Sequence, residues 1–370
     1  MLITVTGTTP VAARPRRRVL WFQTLGQEAA AYDMPLVVTP PALAAAGLPD
    51  GVTGWAWEQG RTWRRARIAH LVDPVVYDAM YLQDLKRHRV AYRRLRETLH
   101  RSHLLAFNPV LPAKDEVYRV ILRDDSVRAA LPPTRFHPTP AELLHLAEVW
   151  GAVWWKPVYG SGGRNMLFIR PLSRRRWYVA GERFFGRVIH REMDQEQLLA
   201  LLAYSRRRRP YMAQGHIPLW RTEDGRHLDL RVTVQCNQRG VWEVLAVTAR
   251  RGPPGAMVTN YHAGGRVESL THPTAIQLSR LASARIDSAV LERARTQALR
   301  VARVLQRAYP TLGVLGVDVG GSPDEEWCYV YDLNSRPGRD ILTDDELAGF
   351  ARGVAGFAHY LRNEMPRRRR

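Results

Sequence analysis

Asp332 and Asn334 stand two residues apart in a segment, 327–334, whose alternate positions are the large apolar residues Trp327, Tyr329, Tyr331 and Leu333. In an extended strand this spacing sends the two oxygen-bearing side chains to one face and the apolar set to the other. A third oxygen donor, Asp318, lies in the preceding apolar stretch 313–319, and an antiparallel pairing of the two stretches would set it beside the other two. Three hard oxygen donors on one sheet face suit Mg²⁺, which takes few protein ligands and completes its shell with water and phosphate oxygens. The bland alternative is that Asp318 ends a strand and Asp332 caps a turn.

The cationic half of such a site is carried by lysine. Only three of the 55 basic side chains are lysine, namely Lys86, Lys114 and Lys156. Arginine pressure of that kind leaves lysine where a flexible point charge is wanted in place of a planar fork. Lys156 ends an otherwise apolar stretch, where an ammonium is costly without anionic partners, and phosphates would serve. Four residues on comes Gly160-Ser161-Gly162-Gly163, a loop whose bare backbone N–H groups could wrap phosphate oxygens. No Gly-Lys-Ser/Thr follows, so it is not a P-loop, and by itself it also fits an ordinary hairpin turn. Lys114 precedes a predicted helix, whereas Lys86 reads as a surface residue. On residues 227–236, Asp229 and Arg231 share the polar face. They fit either an exposed ion pair or an Arg231 held by Asp229 toward a phosphate or carboxylate.

These residues need elements to position them. Residues 1–107 read as a mixed region punctuated by Pro35, Pro40, Pro41 and Pro49, with helical spacing over 81–105 and no identifiable chemistry. Helices are expected over 115–123, 140–149 and 195–204, the last with Asp194 and Gln197 at capping-box spacing. Strands are expected over 152–156 and 166–169, with two short strands after them. Residues 227–236 alternate strictly, 241–250 form a partner strand, and 287–308 form an amphipathic helix. Stretches 313–319 and 327–333 read as a hairpin joined through 320–324, and a final helix opens on a capping box at 343–346. The division expected is 1–107, 108–210, 211–365 and a basic tail 366–370.

A chain of 370 residues with 45% hydrophobic content holds two or three packed domains and is not disordered. Cys236 and Cys328 both lie in alternating segments and read as buried free thiols. The polar start of the chain is unlike a signal peptide, and no apolar run approaches the roughly 18 residues of a membrane span. A cytoplasmic protein is expected. The net charge of +20 is spread over scattered arginine clusters at 174–176, 206–209 and 367–370, without a nucleic-acid motif. Loose adhesion to polyanions is expected, not specific nucleic-acid binding.

Six segments, in this order, resemble the ATP-grasp superfamily, and within it the YheC/YheD family of endospore coat-associated proteins. They are WWKPVYGSGGRNM at 154–166, YMAQGHI at 211–217, DLRVTVQ at 229–235, ARRG with VTNYHAGG at 249–252 and 258–265, LGVDV at 315–319 and YDLNSRPG at 331–338. The similarity spans about residues 105–340; before that only the stretch PVVYD at 74–78 matches. The resemblance implies a mixed α+β ATP-grasp fold, in which two subdomains clasp ATP beside a separate N-terminal domain. It implies that Lys114 and Lys156 hold the nucleotide phosphates, that Gly160, Ser161, Gly162 and Gly163 form a lid, and that Gln214, Gly215, His216 and Ile217 read adenine through their backbone. Asp318, Asp332 and Asn334 would hold one or two Mg²⁺ ions, with Mn²⁺ as an alternative. Arg231, Arg250 and Asn260 would face the transferred phosphoryl group or the acceptor. Two positions depart from the family pattern: glutamate usually stands where this chain has Asp332, and often where it has Gln214. The activity implied is ATP-dependent joining of a carboxylate to an amine or thiol through an acylphosphate. A nucleotide-binding structural protein of the spore coat is the alternative.

Overall fold

The computed structural model describes residues 1–11, 16–58, 62–160, 162–257, 259, 264–321 and 327–368, with backbone alone at 16 and 365–368. Ser161 and Asn260 lie outside the described residues, as does the turn expected at 322–324. Three sheets follow one another along the chain.

The first sheet holds β1 (Leu2–Val5), β2 (Leu36–Thr39), β3 (Gly51–Glu58), β4 (Thr62–Ala69), β5 (Val75–Asp78) and β6 (Leu105–Phe107), in the order β4-β3-β2-β1-β5-β6. β1 pairs in parallel with both β2 and β5, and β5 with β6. Strands β1, β2 and β5 are buried at every residue, which is why they are mostly apolar and show no polar–apolar alternation. The helical stretch expected over 81–105 is two helices, Leu82–Arg87 and Arg89–Arg101, broken at His88.

The second sheet is antiparallel and holds β7 (Thr134–Phe136), β8 (Val153–Pro157), β9 (Leu167–Ser173), β10 (Arg176–Phe184), β11 (Arg187–Asp194) and β12 (Tyr211–Gly215), in the order β11-β10-β9-β8-β12-β7. Helices Pro140–Val149 and Gln195–Arg208 cover one face, each begun by a capping box, at Thr139 with Glu142 and at Asp194 with Gln197. Such a cap contributes about 1 kcal/mol. Alternation along β8 divides its work. Val153 and Trp155 enter the helix-covered core with Leu143, Leu198 and Tyr211, while Trp154 and Lys156 turn to the opposite face.

The third sheet runs β16-β15-β14-β17-β18, with β13 pairing β14 off this path; its strands are β13 (Trp220–Arg221), β14 (His227–Cys236), β15 (Trp242–Arg251), β16 (Arg266–Ser269), β17 (Val314–Gly320) and β18 (Tyr329–Asn334). The even residues of β14, from Leu228 to Cys236, enter the large core with Leu291, Ala298 and Leu305 of helix Ser288–Ala308. The odd residues Asp229, Arg231, Thr233 and Gln235 are buried as well, so the polar face of β14 is a lined interior and not a solvent face. Cys236 and Cys328 are buried free thiols, as expected.

The sheets fall over residues 2–107, 134–215 and 220–334, so Tyr211–Gly215 pairs with β8 and belongs to the second sheet, not to the third region expected to begin at 211. The last helix, Asp344–Arg368, runs on into the basic residues expected to form a tail. Phe357 on it packs edge-on to Phe107 of β6, and Gln235 of β14 donates to the Gly349 carbonyl at 2.8 Å, so this helix joins the first sheet to the third.

Candidate functional site between the second and third sheets

β17 and β18 pair so that Asp318 lies directly opposite Asp332 and Gly316 opposite Asn334. The hairpin expected from sequence thus brings the two carboxylates side by side. One residue is extra on β18: Asp318 faces Asp332 but Val319 faces Val330. A bulge of this kind sets two residues of one strand against one of the other. It corrects the expectation that Tyr331 shares the apolar face, because the Tyr331 hydroxyl turns inward and donates to Asp229.

Asp229 is fully buried and saturated. Arg250, directly opposite it on β15, donates through Nε at 2.7 Å and Nη2 at 2.6 Å, and the Thr259 and Tyr331 hydroxyls also donate to it. Arg250 Nη2 also reaches Asp318 Oδ2 at 2.9 Å. Arg231, opposite Asp318 on β17, donates to the same carboxylate through Nε and through Nη2, the latter at 3.0 Å. Asp229 therefore holds Arg250 and not Arg231, whose partner is Asp318. Cross-strand register decides this: Asp229 and Arg231 share a face but sit two residues apart along β14, so Asp229 lies opposite Arg250 and Arg231 opposite Asp318. Burial alone would push the Asp318 carboxyl up, and the guanidinium groups of Arg231 and Arg250 outweigh it and hold the acid below the usual range. Gly316 leaves room for this arrangement, since a Cβ there would stand 2.9 Å from Pro337 and 3.1 Å from Arg231 Nη1.

The second sheet supplies the lysine side. Lys156 is 6% exposed, donates to Gln214 Oε1, and lies 5.5 Å from the centre of the Tyr331 ring on β18. Burial, reinforced by the Lys114 charge, lowers its pKa to about 7, against the pull of Asp332 and Asp318. Lys114 is the first residue of helix Lys114–Leu122, one residue inside the helix it was expected to precede, and forms an ion pair with Asp332. Four cationic side chains, Lys114, Lys156, Arg231 and Arg250, thus meet three carboxylates, Asp229, Asp318 and Asp332. Asn334 stands two residues along from Asp332, with its Oδ1 accepting from the Arg336 N–H at 2.8 Å. Among the described residues no three His, Cys, Asp or Glu side chains group as a metal cage. Two neighbouring carboxylates are nonetheless the protein share that Mg²⁺ takes when phosphate and water fill the remaining positions.

Residues 103–361 match the family described as YheC/D-like ATP-grasp, which is more than half of the chain. The protein belongs to this family. It is 21% identical over 277 residues to the endospore coat-associated protein YheD of Bacillus subtilis (strain 168); the match takes in 74% of this chain and 58% of the relative, so the chain spans only part of that protein's length. Its fold is similar to that of D-alanyl-alanine synthetase A from Vibrio cholerae O1 biovar eltor, with 8% identity, coverage of 98% of this chain and 96% of the other, and a TM-score of 0.50. An ATP-grasp ligase, PsnB, solved with a minimal precursor, Mg and ADP, aligns over 96% of this chain and 97% of the other at 15% identity and a TM-score of 0.48.

In this ATP-grasp protein the segment 214–217 borders an aromatic patch. Trp154 Nε1 donates to His216 Nδ1 at 3.2 Å, and Phe168 meets the His216 ring edge-on at 4.9 Å. Burial first, then the nearby His227 and Lys156 charges, lower the His216 pKa to about 4, so this imidazole is neutral near pH 7. The N–H groups of Gly215 and His216 are bonded to the carbonyls of Pro133 and Ala152. The glycine loop follows β8 with φ of 135° at Gly160, 71° at Gly162 and 68° at Gly163, values that glycine adopts freely. Tyr118 and Tyr331 were not singled out from the sequence for this site. The Tyr118 hydroxyl donates to the Tyr331 carbonyl at 2.7 Å, and burial, with Asp332 and Asp318 nearby, raises its pKa. No helix among the described residues is long and apolar enough to cross a membrane.

Proposed function

We propose that this ATP-grasp protein is an ATP-dependent ligase that joins a carboxylate to an amine or similar nucleophile, with Mg-ATP held between the second and third sheets. The observation that carries the reading is the cluster of four cationic side chains against three carboxylates, with the buried ammonium of Lys156 among them. A polyanion entering there would supply the charge that Lys156 lacks. Lys114 would exchange its bond with Asp332 for phosphate oxygens, leaving Asp332 and Asp318 to a Mg²⁺ ion. That ion would disperse charge on the transferring phosphoryl group.

The chain's own side chains orient. Lys156 is fixed by Gln214 and aimed over Tyr331, while Arg231 and Arg250 are set by Asp318 and Asp229. Those two guanidinium groups stand where an anionic reacting group would meet them without reorganisation. The aromatic patch of Trp154, Phe168 and His216 suits a base. With the Gly215 and His216 N–H groups engaged, the backbone of Ile217 is the part of this segment proposed to read it. The glycine loop at 160–163 would cover the phosphates, and Ser161 and Asn260 are proposed members of the lid and of the acceptor side.

The test is a thermal-shift titration of the purified chain with ATP, with and without Mg²⁺, followed by phosphate release with paired carboxylates and amines. Metal-dependent stabilisation and turnover lost in Lys156→Ala support the ligase. Stabilisation without turnover for any pair leaves the second reading, a nucleotide-binding protein without catalysis. That reading is favoured by the engagement of Asp318 and Asp332 with cations and by the coat-associated relative. Association with a spore coat belongs to this second reading.

A further inference from the structure

The second sheet ends, at the turn between β10 and β11, in rings and arginines that the nucleotide site does not use. Phe184 pairs with Arg187, so Phe185 and Gly186 form a two-residue hairpin turn, with φ of 48° and 83°. Turns of this hand favour asparagine or glycine, and a bulky side chain at positive φ is uncommon. Here the Phe185 N–H donates to Asn165 Oδ1 at 2.7 Å and holds the turn. The Phe185 ring meets Tyr204 edge-on, with centres 5.6 Å apart, near the end of helix Gln195–Arg208.

That helix closes on four consecutive arginines, 206–209. The Arg208 guanidinium lies 3.6 Å from the centre of the Tyr204 ring, and that of Arg209 lies 5.3 Å from Phe185. Tyr204 is 39% exposed, and Arg206, Arg207 and Arg208 are exposed. A helix C-terminus favours basic residues, but that does not call for stacking on rings. Among the described residues none of the four arginines has an ion-pair partner, because the carboxylates of β10 and β11 are engaged elsewhere. Glu182 meets His190 at 3.5 Å, Glu192 meets Arg176 at 3.1 Å, and Asp194 caps the helix at the Gln197 N–H. An open pocket of about 400 Å³ borders the same turn at Gly186, with Arg164 and Arg183 in its wall.

We propose that this end of the second sheet binds single-stranded nucleic acid without selecting its sequence. A guanidinium stacked on a ring keeps its outer face for a base and its N–H edge for phosphate. The Arg208–Tyr204 stack and the Phe185 ring take bases, while Arg206, Arg207 and Arg209 track the backbone. The strand passes the turn toward the pocket between Arg164 and Arg183. Free guanidinium groups alone would suit any polyanion. The rings favour nucleic acid, since acidic polypeptides and lipid headgroups bring charge without flat bases. Residues 185 and 204–209 lie outside the nucleotide site, so the proposal holds whether or not the chain turns over ATP.

Fluorescence anisotropy of the full chain with labelled oligo(dT) tests this, beside an abasic strand of equal length, polyglutamate, and vesicles of phosphatidylserine in phosphatidylcholine. Oligo(dT) is expected to bind in saturating Mg-ATP, and the abasic strand about tenfold more weakly. With about four phosphates neutralised, log Kd should rise with log salt at a slope of about 3. Tyr204→Leu removes the stacking face and should weaken oligo(dT) about tenfold at an unchanged slope. Arg207→Gln should lower that slope by about 0.7. Both variants should keep the parent's melting temperature and Mg-ATP affinity. Displacement of oligo(dT) by Mg-ATP would place it in the nucleotide site and overturn the proposal. So would the absence of binding, parent-like affinity in Tyr204→Leu, or an abasic strand, polyglutamate or vesicles bound as tightly as oligo(dT).

Discussion

The Tyr331 hydroxyl on β18 donates to the Asp229 carboxylate on β14, across the whole width of β17. The bulge at Tyr331 makes this reach possible, and the bond is one of several that saturate a carboxylate with no solvent exposure.

Removing that donor should be mild, and removing the charge severe. Tyr331→Phe leaves Asp229 with Arg250 and Thr259, so urea denaturation should show a loss of about 1 kcal/mol. Asp229→Asn strands the Arg250 guanidinium beside Asp318 in a buried site, and a loss of about 3–5 kcal/mol is expected. Equal losses from the two variants would contradict the assignment of Asp229 as the counter-charge of Arg250.

Lys114 and Asp332 are each partly exposed, with side chains 22% and 32% accessible, so their pair adds little to folding, about 0–1 kcal/mol. Lys114→Met should therefore leave the melting temperature almost unchanged yet weaken Mg-ATP about tenfold or more. A variant that melts far lower but binds nucleotide normally would make Lys114 a structural residue.

Much of this was readable in the amino-acid sequence, because period-2 alternation reports faces directly. The residues of β8 and β14 divide between core and cleft as their spacing requires, and the scarcity of lysine drew attention to Lys114 and Lys156. What alternation cannot report is register between strands. The pairing of Asp229 with Arg250 depends on which residues oppose each other, and the inward turn of Tyr331 depends on one extra residue that breaks the period. The break at His88 and the sheet membership of Tyr211–Gly215 were hidden for a related reason: helical spacing tolerates a one-residue interruption, and a short apolar strand carries no mark of its partner. The contact of Arg336 with Asp78 joins residues 258 apart and left no local signal.

Metal dependence should follow Asp332. Chelation with EDTA is expected to remove the ATP-induced thermal shift, and Asp332→Asn should leave a small shift that no longer responds to Mg²⁺, because one of two neighbouring carboxylates is gone. Asp332→Glu lengthens the arm and keeps the charge, so the Mg²⁺ response should persist. A response retained in full by the asparagine variant would remove Asp332 from the metal site.

Gly316 tests how tightly Arg231 is seated. A Cβ there would stand 2.9 Å from Pro337, closer than packed atoms allow, and 3.1 Å from Arg231 Nη1, which would have to give by a few tenths of an ångström. Gly316→Val should cost about 1–3 kcal/mol as an overpacked site and displace Arg231 from Asp318, lowering turnover more than nucleotide affinity. Wild-type stability and turnover in this variant would mean that the strand shifts freely there.

Lys156 offers a proton-linked test. Its pKa falls from the ordinary 10.5 to about 7 in the folded chain. Between those values the unfolded chain binds the extra proton and the folded chain does not, so stability rises with pH across the window; below about pH 7 the burden of the buried charge is present in full. Lys156→Met lacks this linkage. The stability it gains over the parent should be largest near pH 6 and shrink toward pH 10 in denaturant titrations. Phosphates beside the amine would draw its pKa back up, so Mg-ATP binding at pH 8 should take up close to one proton, and binding at pH 6 almost none. Calorimetry in buffers of different ionisation enthalpy reads this directly. A binding enthalpy independent of buffer at pH 8 would place the nucleotide phosphates away from Lys156.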